Sequence, residues 1–156
     1  MKNKKGFTLI ELLVVIAIIG LLATLSVVAL NNARQKSRDA KRVSDIKQIQ
    51  TALELYYVDA NAYPVEATAV TLGVSPDDTL SSTGGFADAV SGTTYMGQVP
   101  ADPGVASGYV YSYISVSGSG TYTLTFGLEG ATGGLICTGG YDSTCCSATQ
   151  DGITCS

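Results

Sequence analysis

One long apolar run near the N-terminus limits what this chain can fold into more than any other feature. From Leu12 to Leu30 the apolar residues are interrupted only by Gly20, Thr24 and Ser26. As a helix, this run would be about 28 Å long, which is close to the hydrocarbon thickness of a bilayer. The run also explains the positive mean hydropathy of +0.26, because the rest of the chain is rich in Gly, Ser and Thr. Such a helix requires lipid or other helices on every side.

The helical pattern continues beyond the apolar run. No Gly or Pro occurs in residues 31–58, and apolar residues recur there at steps of three and four, as in an amphipathic helix. This stripe consists of Ala33, Ala40, Val43, Ile46, Ile49 or Gln50, Leu53, and Tyr56 or Tyr57. The opposite face is predicted to be solvated and carries Arg34, Arg38, Asp39, Arg42 and Asp45. One helix is therefore predicted from about Phe7 to about Asp59, with Asn61 as its C-terminal breaker before Pro64.

The remaining residues predict a small β-rich head. Two segments alternate and are rich in Tyr, Val and Thr, Tyr109–Val116 and Thr121–Phe126, and the sequence Ser117–Gly120 between them is typical of a turn. They predict an antiparallel hairpin whose second strand directs Tyr122, Leu124 and Phe126 to the core. A further short strand is predicted at Leu135–Cys137. Residues 65–98 contain many glycines and predict a loop with at most one short element. The fold class is therefore α+β, with a long helix packed on a small antiparallel sheet.

The four cysteines, Cys137, Cys145, Cys146 and Cys155, lie within the last twenty residues of a chain that has no histidine. Since the chain also has no C-x-x-C pair, a zinc site of the common kinds is not expected. An even number of clustered cysteines behind a membrane segment indicates two disulfides formed in an oxidising compartment. A bridge between the adjacent Cys145 and Cys146 would close a strained ring. Cys137 is therefore expected to pair with a member of this doublet or with Cys155, and these alternatives stay open.

Charge is distributed unevenly along the chain. All nine Lys and Arg residues lie at or before Lys47, and every ionisable side chain beyond it is Asp or Glu, apart from Tyr and Cys. An acidic head of this kind would repel a nucleic-acid backbone, so no nucleic-acid binding by the head is expected. The basic segment from Arg34 to Arg42 has two interpretations, a solvated face or a surface that attracts acidic heads or anionic lipid. Without histidine there is no Ser-His-Asp or Cys-His arrangement, and no phosphate-binding motif occurs, so we expect no enzyme activity.

Glu11 is the ionisable side chain in the otherwise apolar segment from Phe7 to Leu30. A carboxylate within a membrane segment is costly and is usually paired or functional. The N-terminal segment before the apolar run is short and basic, with Lys2, Lys4 and Lys5 followed by Gly6. Glu11 is therefore predicted to have a partner, although a position beside the headgroups is the simpler alternative.

The sequence from Lys5 through Gly6, Phe7-Thr8-Leu9-Ile10-Glu11 and the apolar run resembles the N-terminal signal of type IV pilins and type II secretion pseudopilins. The resemblance implies cleavage after Gly6 by a prepilin peptidase and N-methylation of Phe7. Glu11 would then pair with the Phe7 amine of a neighbouring subunit and set the axial register during assembly. It also implies an N-terminus in the cytoplasm and a head outside the membrane.

Three further segments are similar to the major pseudopilin family: Leu55–Pro64, Val99–Pro103 before Tyr109–Tyr111, and the Gly-rich Gly127–Gly134. In that family the Gly-rich loop binds calcium, and Glu129 is the candidate ligand here. Glu129 stands where Asp is expected, and acidic residues nearby are sparse. No other cofactor is expected.

The sequence and the resemblance together predict a pilin fold with a disulfide-bonded C-terminal loop. The predicted parts are a leader at residues 1–6, a transmembrane and filament-core helix at 7–30, its amphipathic continuation at 31–60 and an extracytoplasmic head at 61–156. The expected function is a structural subunit of a type IV pilus or a type II secretion pseudopilus-like filament. Its expected partners are other pilins, a prepilin peptidase, an inner-membrane assembly platform and membrane lipid. It would reside in the inner membrane before assembly and in a surface or periplasmic filament afterwards. The alternative is a single-pass anchored binding or adhesion protein that does not polymerise.

Overall fold

In a computed structural model, which describes residues 6–116 and 120–156, the first element is a helix of 52 residues, α1 (Leu9–Ala60). The chain divides into two compact units, Met1–Gln35 and Lys36–Ser156. In the described part of the first unit, nearly every side chain is exposed. α1 is long and apolar enough to cross a membrane, judged by its length and composition alone. The predicted long helix is thus confirmed.

α1 ends where the sequence indicated. Asn61 adopts a left-handed φ of 52°, and its N–H donates to the Tyr57 carbonyl at 2.8 Å. This is a common way to end a helix, since Asn tolerates the left-handed region better than most residues. Pro64 then prevents the helix from resuming.

The second unit contains two antiparallel sheets. Its strands are β1 (Glu66–Leu72), β2 (Thr79–Ser81), β3 (Gly85–Ala87), β4 (Thr94–Met96), β5 (Tyr111–Ser115), β6 (Thr123–Phe126), β7 (Cys146–Thr149) and β8 (Gly152–Cys155), with a short 3₁₀ turn at Val105–Ser107 before β5. The larger sheet has the order β1-β5-β6-β7-β8, and the smaller has the order β3-β2-β4. The predicted hairpin is present as β5 and β6, with Tyr113 opposite Leu124. The turn predicted at Ser117–Gly120 lies mostly outside the described residues.

One side of α1 packs against the head. Ile46, Ile49 and Leu53 are fully buried together with Leu124 and Phe126 of β6. Tyr122, predicted to face inward with these two residues, is also buried. Each buried aliphatic or aromatic side chain contributes roughly 1.5–3 kcal/mol, so this seam fixes α1 to the head.

Two predictions about the head are wrong. Residues 65–98 form β1 to β4 rather than a loop. β1 pairs with β5, which is distant in sequence, whereas β2, β3 and β4 pair with one another and are too short for a clear alternation in the sequence. The Leu135–Cys137 segment forms no strand among the described residues; Leu135 makes one isolated bridge with Thr132. The last strands are instead the hairpin of β7 and β8, which adds to the edge of β6.

The charged face of α1 also differs from the prediction. Arg34 is exposed and Arg38 is partly exposed, but Asp39, Arg42 and Asp45 are buried. The physical reason is that steps of four and three residues backward from Ile46 lead to Arg42 and then Asp39. These two therefore continue the inward-facing stripe, and their charges are compensated by residues of the head.

Candidate functional site

The start of α1 is closed by a reciprocal pair of hydrogen bonds between Thr8 and Glu11. The backbone N–H of Glu11 donates to Thr8 Oγ1 at 3.3 Å, and the backbone N–H of Thr8 donates to Glu11 Oε2 at 2.8 Å. The Thr8 hydroxyl donates to the same carboxylate oxygen. This arrangement is a capping box, which satisfies N–H groups that the first turn of a helix leaves without partners. The Thr-x-x-Glu spacing before an apolar run is the sequence signature of this cap, and it is absent from the predictions above.

The residues before the cap are accessible. Gly6 and Phe7 precede the helix in non-helical backbone, and the Phe7 side chain is 78% exposed. A Cβ at Gly6 would meet nothing within 4 Å. The Gly6–Phe7 bond is thus open to an enzyme, while Glu11 contacts Thr8 and leaves its Oε1 without a hydrogen bond from the described residues. The predicted leader lysines lie outside the described residues.

A second cluster of charged residues lies where α1 meets the head, around the fully buried Arg42. Its guanidinium donates to both carboxylate oxygens of Asp102, at 2.9 Å from Nε and 3.1 Å from Nη2. Nη1 donates to Asp39 Oδ1 at 2.6 Å and to Glu129 Oε1 at 2.8 Å. The Tyr109 ring centroid lies 4.4 Å from Cζ, a cation–π distance. One guanidinium therefore joins α1 to two separate loops of the head.

Glu129 receives a second guanidinium. Arg38 Nε donates to Glu129 Oε1 at 2.8 Å, and Arg38 Nη2 donates to Oε2. The backbone N–H of Glu129 donates to Asp39 Oδ1 at 3.0 Å. The hydrogen bonds from Arg38, and after them those from Arg42, lower the pKa of Glu129 to about 2 against the opposing effect of burial. Glu129 is therefore ionised at any ordinary pH and holds the Gly-rich loop against α1.

This geometry does not fit Glu129 as a calcium ligand. Calcium takes six to eight oxygen ligands, with several carboxylates converging on one point, whereas both Glu129 oxygens accept hydrogen bonds from arginines. Within the described part of the chain, the one group of three or more potential metal-ligand residues consists of Cys137, Cys145 and Cys146, and all three are in disulfides. The guanidinium groups of Arg38 and Arg42 therefore bind the carboxylate that the resemblance suggested as a calcium ligand.

Asp45 is the remaining buried carboxylate of this region. It accepts a hydrogen bond from the Tyr111 hydroxyl at 3.1 Å. Burial raises the pKa of Asp45, and the Tyr111 hydrogen bond and the nearby Lys41 charge partly offset that effect. Asp45 is thus polar and buried without an ion pair to a guanidinium within the described residues.

Two disulfides close the C-terminal region. Cys137 bonds Cys145, and Cys146 bonds Cys155. The second bridge joins directly opposite residues of β7 and β8, since Cys146 pairs with Cys155 in the register. This selects one of the pairings that the sequence left open, and it excludes the bridge between adjacent cysteines.

Comparison with known proteins agrees with this arrangement. Residues 1–27 match the prokaryotic N-terminal methylation motif, and residues 29–138 match type II secretion system protein G. The chain is 32% identical over 139 residues to the type II secretion system core protein G of Vibrio cholerae, covering 86% of this chain and 87% of that protein. It is 32% identical over 133 residues to the core protein G of Aeromonas hydrophila, covering 85% and 88%.

A shorter match connects the chain to a pilus. The chain is 40% identical over 75 residues to the type IV wide pilus major component PilA4 of Thermus thermophilus, and this match covers 47% of the chain and 57% of PilA4. No solved structure gave a significant match. With its capped apolar helix, antiparallel head and methylation motif, the chain belongs to the type II secretion system protein G family and is a subunit of a pseudopilus- or type IV pilus-like filament.

Proposed function

We propose that this chain is a structural subunit of a secretion pseudopilus, matured by cleavage after Gly6 and methylation of Phe7. The observation that carries the proposal is the accessible Gly6–Phe7 bond directly before a capped helix whose first half is apolar and exposed on all sides. Water would hydrolyse the Gly6–Phe7 amide and release a Phe7 amine. That amine would take a methyl group from a methyl-sulfonium donor and lose a proton. The matches that cover most of both chains are with secretion-system proteins, which favours the pseudopilus.

The assembly step that we propose is an ion pair between subunits. In apolar surroundings both the new Phe7 amine and the Glu11 carboxylate are costly, and pairing removes most of that cost. Thr8 occupies one oxygen of Glu11, so Oε1 remains for the amine of a neighbouring copy. The exposed aliphatic side chains of the same helix then pack against other copies, each of them worth roughly 1.5–3 kcal/mol when removed from water.

The remaining parts of the proposal follow from this role. Residues 1–6 act as a leader, 7–30 as the filament core, 31–60 as its continuation and 61–156 as the head. The function is structural rather than enzymatic. The subunit waits in the inner membrane, in contact with lipid and an assembly platform. It then leaves the membrane for a periplasmic or surface filament.

Three variants separate helix capping from charge pairing. Glu11→Gln keeps the capping hydrogen bonds but loses the charge, Glu11→Leu loses both, and Thr8→Ala loses part of the cap alone. We expect Thr8→Ala to polymerise, and both Glu11 variants to insert in the membrane without normal filaments. Filaments from Glu11→Gln at the wild-type level would refute the ion pair.

Mass spectrometry of the mature protein tests the processing. We expect an N-terminus at Phe7 that is heavier by one methyl group. A mature chain that keeps residues 1–6 and stays monomeric in cells with the processing enzymes would instead support the anchored binding protein.

A type IV pilus is the second candidate, because the match to PilA4 includes a protein of that class. The two candidates differ in phenotype. Loss of the gene should abolish secretion of specific exoproteins if the filament is a pseudopilus, and should remove surface fibres visible by electron microscopy if it is a pilus. Comparing the secretome and the cell surface with and without the gene decides between them.

A further inference from the structure

An apolar groove runs along one face of α1 in the head. It has a volume of about 440 Å³, and its walls include Ala40 and Val43 of α1 and Leu135 and Ile153 of the C-terminal region. No described segment of the chain fills it. At about 100° per residue, Lys36 and Lys47 lie on the same face of α1 as Ala40 and Val43, one before them and one after. Lys47 is itself a wall residue of the groove, and Lys36 lies one turn before Ala40 on the same helix face, beyond the groove wall.

Neither of these two lysines forms an ion pair with the residues that the structure describes. Both lysines are exposed. Lys36 and Lys47 are eleven residues apart, about 16 Å along the helix, which exceeds the Debye length of about 8 Å at physiological salt. A flat lipid surface next to one end of this helix segment would therefore attract the nearer lysine, while salt would screen its attraction for the farther one. A protein surface with two separated acids matches both.

The C-terminal end of α1 carries such a surface. Leu55 and Val58 are 54% and 79% exposed, although both are large aliphatic residues. On the helix they lie side by side between Glu54 and Asp59, which are also exposed. Tyr63 and Tyr95 donate hydrogen bonds to these carboxylates at 2.9 and 2.8 Å, but neutral phenols leave the negative charges in place. This helix-end patch therefore has an apolar centre and two acidic edges.

We propose that the groove of one copy binds the helix-end patch of a neighbouring copy in the filament. Leu55 and Val58 would enter the groove beside Val43, and Glu54 and Asp59 would lie near Lys47 and Lys36. The inference rests on the proposed filament function and names a contact between heads within it.

The positions of the two surfaces agree with a polymer. Val43 and Val58 are about 22 Å apart along α1, so groove and patch are different surfaces at different heights. A contact between two different surfaces is heterologous, and a heterologous contact whose rotation does not close into a ring repeats as a helical fibre. The surfaces are small, so the contact is weak between free subunits. It becomes effective once the N-terminal helices hold the heads together.

Photo-crosslinking in the full chain tests the contact directly. A benzophenone amino acid replaces Val43 in cells whose wild-type chain forms filaments, and half of the subunits carry a heavy isotope. Digestion at glutamate releases residues 55–66 as one peptide, because Glu54 and Glu66 flank it. We expect a crosslink between position 43 of one copy and this peptide of another. The same probe at Lys41, which points to another face of α1, is the matched control.

A charge exchange provides an independent readout. We expect Lys47→Glu to reduce the yield of sheared filaments at least threefold, and the double variant with Glu54→Lys to restore it to within twofold of wild type. Arg34→Glu makes the same charge change on another face of α1 and should leave the yield unchanged. Intact disulfides on a non-reducing gel show that each head has folded.

Several results would overturn the inference while leaving the filament function intact. One such result is a probe at position 43 that crosslinks to residues 7–30 of another copy or to lipid, or that forms no crosslink. Another is a Lys47→Glu variant that forms filaments at the wild-type yield. If the wild-type chain itself forms no filaments in cells that have the assembly machinery, the proposed function fails, and this inference fails with it.

Discussion

Replacing Arg42 with methionine should destabilise the head strongly without affecting the membrane helix. The guanidinium is fully buried and makes hydrogen bonds to Asp39, Asp102 and Glu129. Methionine fills a similar volume but leaves Asp39 and Asp102 buried without a guanidinium. Removing one partner of a buried ion pair costs about 3–5 kcal/mol, mainly because the remaining charge is uncompensated. A head of this size loses roughly 3–5 °C in melting temperature Tm per kcal/mol, so the expected decrease is about 10–20 °C.

Near-ultraviolet circular dichroism of the full chain in detergent measures this change. The chain has nine tyrosines and no tryptophan, and Tyr111 and Tyr113 are completely buried, so the tyrosine signal reports the head. Lys41→Met is the matched control, because it removes a neighbouring exposed charge from the same helix and should change Tm by about a degree. The reasoning would be refuted if Arg42→Met melted within about 3 °C of this control.

Two further predictions concern the Gly-rich loop. The folded-state pKa of Glu129 is about 2, below its ordinary 4.5, so its stabilisation is complete above about pH 4.5 and is lost as the pH falls towards 2. With a discount for solvent screening of a carboxylate one-fifth exposed, this amounts to about 2 kcal/mol. The Tm difference between wild type and Glu129→Gln should therefore be largest at pH 6 and shrink towards pH 2; a constant difference would contradict the assignment. Gly127→Ala should prevent folding of the head, because its Cβ would collide with the Asp142 carbonyl and lie 2.5 Å from the Ser143 Cα. Disulfide-bonded, protease-resistant Gly127→Ala protein would show that this backbone can move.

The sequence by itself determined the features that depend on neighbouring residues. The apolar run, the absence of Pro and Gly from residues 31–58, and Asn61 before Pro64 are local signals, and α1 extends from Leu9 to Ala60 as they predict. The β5–β6 hairpin is local too, because its strands are close in sequence and alternate in polarity. The Thr8–Glu11 cap is also a local feature, because its three-residue spacing is visible in the sequence.

Tertiary structure alone decided the features that depend on distant residues. The local sequence is compatible with either a solvated or a buried Arg42. Its burial depends on Asp102 and Glu129, which are sixty and eighty-seven residues away in sequence and bind its guanidinium. β1 forms because β5, which is distant in sequence, supplies its hydrogen-bonding partner. The Cys146–Cys155 bridge joins residues only nine positions apart, but the β7–β8 register is what places them opposite each other. In each case the free energy comes from contacts between residues that the local sequence pattern does not connect, which is why sequence periodicity could not reveal them.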